Sequence, residues 1–391
     1  MINSPLTLFL LLAAAGGIGF YAAHRPRPGA RRHSRLPEDY LAGLNYLAND
    51  QPDRAVDAFL RAAELDRDTV ETHFALGSLF RRRGEVDRAI RIHQNLTSRD
   101  NLTPAQREQA VYALSQDYLR AGLLDRAEKI LEELARGGAY RLAAMRHLIH
   151  IHELSRDWAK AIAVHEELAR IGRPPQECAI AHYWCELAEL SRAAGRPDEA
   201  REHLRRARAT QRRFPRGLLV RTDIALEQGD AALAGRLLRR VVDQDAGLIS
   251  EVLPRALRAV RAGQEGLVSE LTAARPDAVT EFACAAILAD GLDVPELASA
   301  VREFLRKDES LSAMVVALGR DPAALDDGTL RAMAAVLRRL AQSTPRFRCT
   351  HCGFSSIAHF WRCPGCKTWD SQRPLARFDL AAGLGEKAPQ H

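Results

Sequence analysis

Aromatic residues make up only 6% of the 391-residue chain. That scarcity argues against a β-sandwich or barrel, whose strands draw on aromatic and β-branched positions. No phosphate-binding glycine loop, no glycine-framed nucleophilic serine and no His-Glu-x-x-His pair occurs, so the common signatures of nucleotide, acyl-transfer and metalloprotease chemistry are missing. A broad basic face is missing as well. Of the net charge of +6, residues 1–35 carry +5 and residues 345–391 carry +4, leaving −3 over 36–344. Nucleic-acid binding is not expected from that balance. What is present is a folded, helical composition, 47% hydrophobic and 27% charged, rich in alanine, leucine, arginine and glutamate. There are seven cysteines, four of them within eighteen residues. Such clustering points to a metal site, not a secreted disulfide framework.

Residues 6–23 read LTLFLLLAAAGGIGFYAA, an uncharged run at the short end of what spans a bilayer as a helix. Arg25, Arg27, Arg31, Arg32 and Arg35 follow at once. Positive charge stays on the cytoplasmic side, so the bulk of the chain is expected there, behind an uncleaved anchor at residues 1–24. A signal peptide is the alternative, but it wants a basic segment ahead of the apolar run, and residues 1–5 carry no charged side chain. Pro26, Pro28 and Gly29 make residues 25–35 a short basic linker.

From residue 36 the sequence repeats itself. Gly43, Tyr46, Ala55, Phe59 and Ala62 recur 34 residues on as Gly77, Phe80, Ala89, His93 and Leu96. A third copy, after an insertion near residues 101–106, carries Tyr118, Gly122, Ala127, Leu131 and Leu134. Ala161 with Trp158, His165 and Leu168 marks a fourth, Trp184, Leu187, Gly195, Ala200, Leu204 and Ala207 a fifth, and Gly229, Ala234, Leu238 and Val241 a sixth. Weaker copies run to about residue 340. Each unit reads as two antiparallel helices with a glycine or polar turn, the second helix starting after an acidic residue such as Asp53, Asp87, Asp125 or Asp198. The small alanines let the paired helices cross closely. A single unit cannot bury its apolar face, so stacking into a superhelix with a concave surface is expected. This pattern resembles the tetratricopeptide repeat family, which implies seven to nine units over 36–340 and a protein-binding groove without chemistry of its own.

No catalytic residue is expected. His147, His150, His152, Glu153, His165 and Glu166 cluster without a ligand pattern and read as core or solvated groups. Cys178, Cys185 and Cys284 are isolated and read as buried thiols.

After Pro345 the character changes. Cys349-x-x-Cys352 and Cys363-x-x-Cys366 form two knuckles, which together offer four thiolates to one tetrahedral ion. Gly353 and Gly365 are expected to permit the knuckle turns, and His351 and His359 to lose to the cysteines as ligands. A closed set of four sulfurs reads as a structural zinc site, with iron left open. Phe347, Phe354, Phe360, Trp361 and Trp369 exceed what so small a segment can bury, so some are expected on the last repeat helices. The knuckle pair resembles a shortened rubredoxin-type domain, over 346–378, with Lys367 where a rubredoxin has glycine.

The expected fold is therefore all-α: a repeat solenoid with an N-terminal transmembrane helix, a small rubredoxin-like zinc-knuckle domain and a tail at 379–391. As a whole the chain resembles the lipopolysaccharide assembly protein B family of Gram-negative bacteria, most specifically at Phe360-Trp361-x-Cys363-Pro364 and Trp369. The resemblance implies a non-enzymatic, single-pass inner-membrane adaptor with its bulk in the cytoplasm. It would bring the deacetylase that commits lipid A synthesis to a membrane-anchored AAA+ protease, under restraint by an inner-membrane lipopolysaccharide-sensing protein. Homodimerisation stays open. The reading from another class is a rubredoxin-like electron carrier or redox regulator on a scaffold.

Overall fold

The computed structural model describes residues 38–49, 51–65, 70–274 and 345–375. The expected anchor at 6–23, the linker at 25–35, the weaker repeats over 275–340 with Cys284, and the tail at 379–391 lie outside the described residues. No helix among the described residues is long and apolar enough to cross a membrane.

Fourteen α-helices run in sequence among the described residues: α1 (Glu38–Ala48), α2 (Pro52–Leu65), α3 (Val70–Arg83), α4 (Val86–Thr97), α5 (Pro104–Arg120), α6 (Leu124–Ala135), α7 (Arg141–Leu154), α8 (Trp158–Arg170), α9 (Glu177–Ala193), α10 (Pro197–Thr210), α11 (Pro215–Glu227), α12 (Ala231–Gln244), α13 (Ile249–Arg261) and α14 (Leu267–Ala274). They form two compact units, split after Ile130.

In the first unit the 34-residue step is one contact made twice. A Cβ on Gly43 of α1 would stand 2.7 Å from the Phe59 ring of α2, and a Cβ on Gly77 of α3 would stand 2.6 Å from the His93 ring of α4. Only glycine lets those helices approach so closely. His93 is fully buried, its Nδ1 against Asp117 Oδ2 of α5, and Arg81 donates to the other carboxylate oxygen at 2.8 Å. The buried charge is thus shared among three helices. Across both units the repeating alanines Ala55, Ala89, Ala127, Ala161, Ala200 and Ala234 are all 0% exposed, as close helix crossings require.

Two local expectations need correction. Asp53, Asp87, Asp125 and Asp198 lie inside the first turn, because the helices begin one residue earlier, at Pro52, Val86, Leu124 and Pro197. They act on the helix dipole without capping it. The capping aspartates are Asp157, which accepts from Lys160 N at 3.2 Å, and Asp230, which accepts from Leu233 N at 2.9 Å. The insertion near residue 103 supplies a Thr103/Gln106 capping box with Pro104 in the first turn, and it starts a helix of 17 residues. Between α7 and α8 the turn holds Arg156 at φ 57°, in the left-handed conformation that Gly122 adopts at φ 73° a repeat earlier.

The C-terminal segment is not helical. Strands β1 (Phe347–Cys349), β2 (Ser355–Ser356) and β3 (Gln372–Pro374) make an antiparallel sheet in the order β2-β1-β3, with Phe347 opposite Ser356 and Cys349 opposite Gln372. The all-α expectation holds for the repeats only. Strands this short leave no readable alternation.

Candidate metal centre

The sheet and its loops bring Cys349, Cys352, Cys363 and Cys366 together, with all four sulfurs within 4.8 Å of one another. Cys349 and Cys366 are 3.7 Å apart, as are Cys352 and Cys363. A tetrahedral ion with bonds of about 2.3 Å to sulfur requires edges of about 3.8 Å, so the four positions fit a zinc-sized ion. Each knuckle closes with the same backbone bond, Gly353 N–H to Cys349 O at 3.0 Å and Lys367 N–H to Cys363 O at 2.9 Å. The left-handed residue of the first knuckle is Gly353, at φ 75°. In the second it is Lys367, at φ 62°, and not Gly365. Gly365 is needed for space, since a Cβ there would stand 3.3 Å from Cys352 Sγ.

Two of the four sulfurs are drawn toward the thiolate form by their neighbours. The Ser371 hydroxyl, 3.3 Å from Cys349 Sγ, and the backbone N–H groups of Cys352 and His351 draw Cys349 down to about 6. Thr368 lowers Cys366. At Cys352 the Phe354 N–H pulls downward, but desolvation and the three neighbouring sulfurs push it up to about 11. Four thiolates at this separation repel one another, and a divalent ion removes that conflict. The residues therefore fit one metal ion, with Cys349, Cys352, Cys363 and Cys366 as its holders. With all four corners taken by sulfur, such an ion supplies folding energy and no open coordination site. The histidines stand aside. His359 packs edge-on against Phe347 and Trp361, and burial, with Arg373 next, lowers it to about 4.

The ribbon is fastened to the second unit's repeats by two of its surplus aromatics, as expected, and by a polar cluster that follows no sequence pattern. Glu153, at the end of α7, accepts from Arg362 Nη2 at 2.6 Å, Trp369 Nε1 at 3.2 Å and Tyr183 Oη at 2.8 Å. Glu153 and Arg362 are 209 residues apart and only 13% and 17% exposed. Burial, and then the Glu153 charge, raise the Tyr183 phenol, so it remains a donor. Trp369 stacks on His182 at 4.7 Å and meets Trp158 and Tyr183 edge-on. Buried Arg216 of α11 holds Glu186 at 2.7 Å and lies over the rings of Trp361 and Trp369. Trp369 thus packs on α8 and α9, well before the last repeats, and Trp361 packs against the core of α11 to α14. Phe354 and Phe360 stay exposed.

The remaining candidates scatter. His152 and His165 are buried, and burial lowers His165 and His147. Cys185 is fully buried, which pushes it up to about 12, whereas Cys178 is only partly buried. No second group of metal-ligating side chains occurs among the described residues.

Comparison with known proteins agrees with this anatomy. A family model described as a rubredoxin metal-binding domain matches residues 347–374, and a tetratricopeptide repeat model matches 40–96 and 185–249. A solved tetratricopeptide repeat protein from Parabacteroides merdae is 14% identical with a TM-score of 0.34, over 60% of this chain and 96% of that one. Lipopolysaccharide assembly protein B of Haemophilus influenzae is 28% identical over 94% of this chain and 98% of its own length. The protein of the same name from Escherichia coli is 34% identical over 385 residues, 95% of this chain and 98% of the relative. An alignment that runs through repeats and ribbon alike assigns the chain as a whole, and it belongs to the lipopolysaccharide assembly protein B family.

Proposed function

We propose that this protein is a membrane-anchored adaptor that restrains lipid A synthesis by delivering the committing deacetylase to a membrane AAA+ protease. The observation that carries the reading is the end-to-end likeness to lipopolysaccharide assembly protein B, over 95% of the chain. The described anatomy supports it, as repeats offer binding surface and four-sulfur coordination leaves no reactive site. In this reading residues 6–23 cross the inner membrane once and hold the bulk of the chain in the cytoplasm. The ion at the four cysteines is zinc, and an inner-membrane lipopolysaccharide-sensing protein restrains the adaptor. Tethering two partners to one membrane-bound array raises their effective concentration without any catalytic group.

The test is depletion of this protein followed by quantitative proteomics. A selective rise in the deacetylase is expected, and no change in any protein's half-life would sink the reading. The redox-carrier reading keeps one supporting observation, the exposure of Cys352 at the edge of the sulfur cluster. Metal analysis and the colour of the purified protein separate the two, because iron in four sulfurs is red and zinc is colourless.

A further inference from the structure

Although residues 36–344 are net acidic, one cleft in the second unit gathers arginine. It lies among α10, α11 and α12, with a volume of about 500 Å³, and is lined by Arg201, Arg205, Arg208, Arg212, Arg221 and Arg240. Three of these, Arg201, Arg205 and Arg208, share one face of α10 by helical spacing, and Arg212 follows where the chain leaves the helix in extended form. Arg201 is paired with Asp198, and Arg205 with Glu202. Arg208, Arg212, Arg221 and Arg240 are exposed and have no carboxylate partner among the described residues. Like charges held around a concavity raise its potential and favour an anion there. Guanidinium groups in particular match carboxylates in bidentate geometry.

The floor narrows the choice of anion. Leu204, Phe214 and Leu218 line the cleft, offering apolar surface that phosphate groups do not use. Gln244 also lines it, and its buried Oε1 has no hydrogen-bond donor. A phosphodiester, which carries no hydrogen, cannot satisfy that acceptor, but a peptide N–H can once the side chain turns toward the cleft. In an extended peptide, side chains on one face recur about every 6.7 Å, against about 5.4 Å for one turn of α10, a gap that long arginine side chains span.

We propose that this cleft binds an acidic segment of a protein partner in extended form. Carboxylates at alternate positions pair with Arg208, Arg212 and Arg221, a backbone N–H donates to Gln244, and small apolar side chains rest on Phe214 and Leu218. This deepens the adaptor reading by naming the chemistry of one docking element, but it does not depend on which partner carries it.

The test uses purified full-length protein and a fluorescein-labelled peptide of alternating glutamate and alanine, with its lysine counterpart as control. Inorganic phosphate and phosphatidylglycerol vesicles are the rival probes. Saturable binding of the acidic peptide alone is expected, weakening as salt rises. Arg208→Glu combined with Arg221→Glu should weaken it at least tenfold, with the circular dichroism unchanged. Arg236→Glu, an exposed change on α12 outside the cleft, should leave it intact. Gln244→Met should weaken peptide binding several-fold. The proposal is overturned if the acidic peptide fails to bind, if the charge reversals leave binding unchanged, or if phosphate or vesicles bind at the cleft in its place. None of those results touches the depletion experiment, so failure of the cleft and failure of the adaptor reading are distinguishable.

Discussion

Replacing Glu153 by alanine should release the ribbon from the repeats. The carboxylate accepts three hydrogen bonds, from Arg362, Trp369 and Tyr183. Its loss leaves a guanidinium that is 17% exposed without a counter-ion. Stranding a buried charge costs about 3–5 kcal/mol, and the partial exposure of Arg362 places this case near the lower end. Tyr183 and Trp369 lose an acceptor as well, which water can replace once the ribbon lifts. A loss of ~3 kcal/mol lowers the ratio of docked to free ribbon by about 150-fold. Glu153→Gln keeps an acceptor but not the charge, so its effect should be roughly half as large. Hydrogen exchange read by mass spectrometry is the assay. Peptides within 345–375 and around Tyr183 should lose protection, while those of α2 to α4 should not, because damage in a repeat array stays local. Unchanged protection of the ribbon in Glu153→Ala would refute the reasoning that this carboxylate fastens it.

Other substitutions test the same physics elsewhere. Lys367→Gly relieves a left-handed non-glycine residue and should strengthen metal retention against a chelator, by about 1 kcal/mol. Arg156→Gly should raise the midpoint of thermal unfolding for the same reason. Gly77→Ala would place a Cβ 2.6 Å from the His93 ring. It should destabilise the first unit by about 1–3 kcal/mol in denaturant titration. Cys363→Ser should lose the bound metal and unfold 345–375 while the helical circular dichroism persists. Acid should destabilise the second unit. Burial, then Arg216 and His359, hold His182 well below its ordinary 6.5, so below that pH the unfolded chain takes up a proton that the folded form refuses. This group therefore leaves stability unchanged above 6.5 and lowers it as pH falls below that value, which thermal melts across the range measure. His182→Phe keeps the stack on Trp369 and should remove that share of the acid sensitivity.

The 34-residue step was legible because each repeat makes the same contact between its own two helices. Gly43 against Phe59 recurs as Gly77 against His93, and the repeating alanines are all fully buried. Four cysteines in eighteen residues were legible because a metal's geometry constrains short spacings. The apolar part of the ribbon's fastening was legible in its surplus aromatics, of which Trp361 and Trp369 pack on repeat helices, but the polar part was not. Glu153 sat in a histidine-rich stretch that matched no ligand pattern, and its partner Arg362 follows 209 residues later. Such a contact has no period and no motif. The short strands escaped because alternation cannot be read in two or three residues. The arginine cleft escaped because net charge averages over a surface that the helices sort by face.

The central claim, that this protein delivers a substrate and does not itself cut it, is tested most directly by reconstitution. The purified AAA+ protease, the deacetylase and this protein are placed in liposomes with ATP, and deacetylase half-life is followed on gels. The account predicts fast loss only when protease and full-length chain are both present. It predicts slow loss when residues 1–24 are removed, because the partners then lack a shared membrane, and none with this protein alone. An unchanged half-life on adding the full-length chain would contradict it, as would degradation by this protein without the protease.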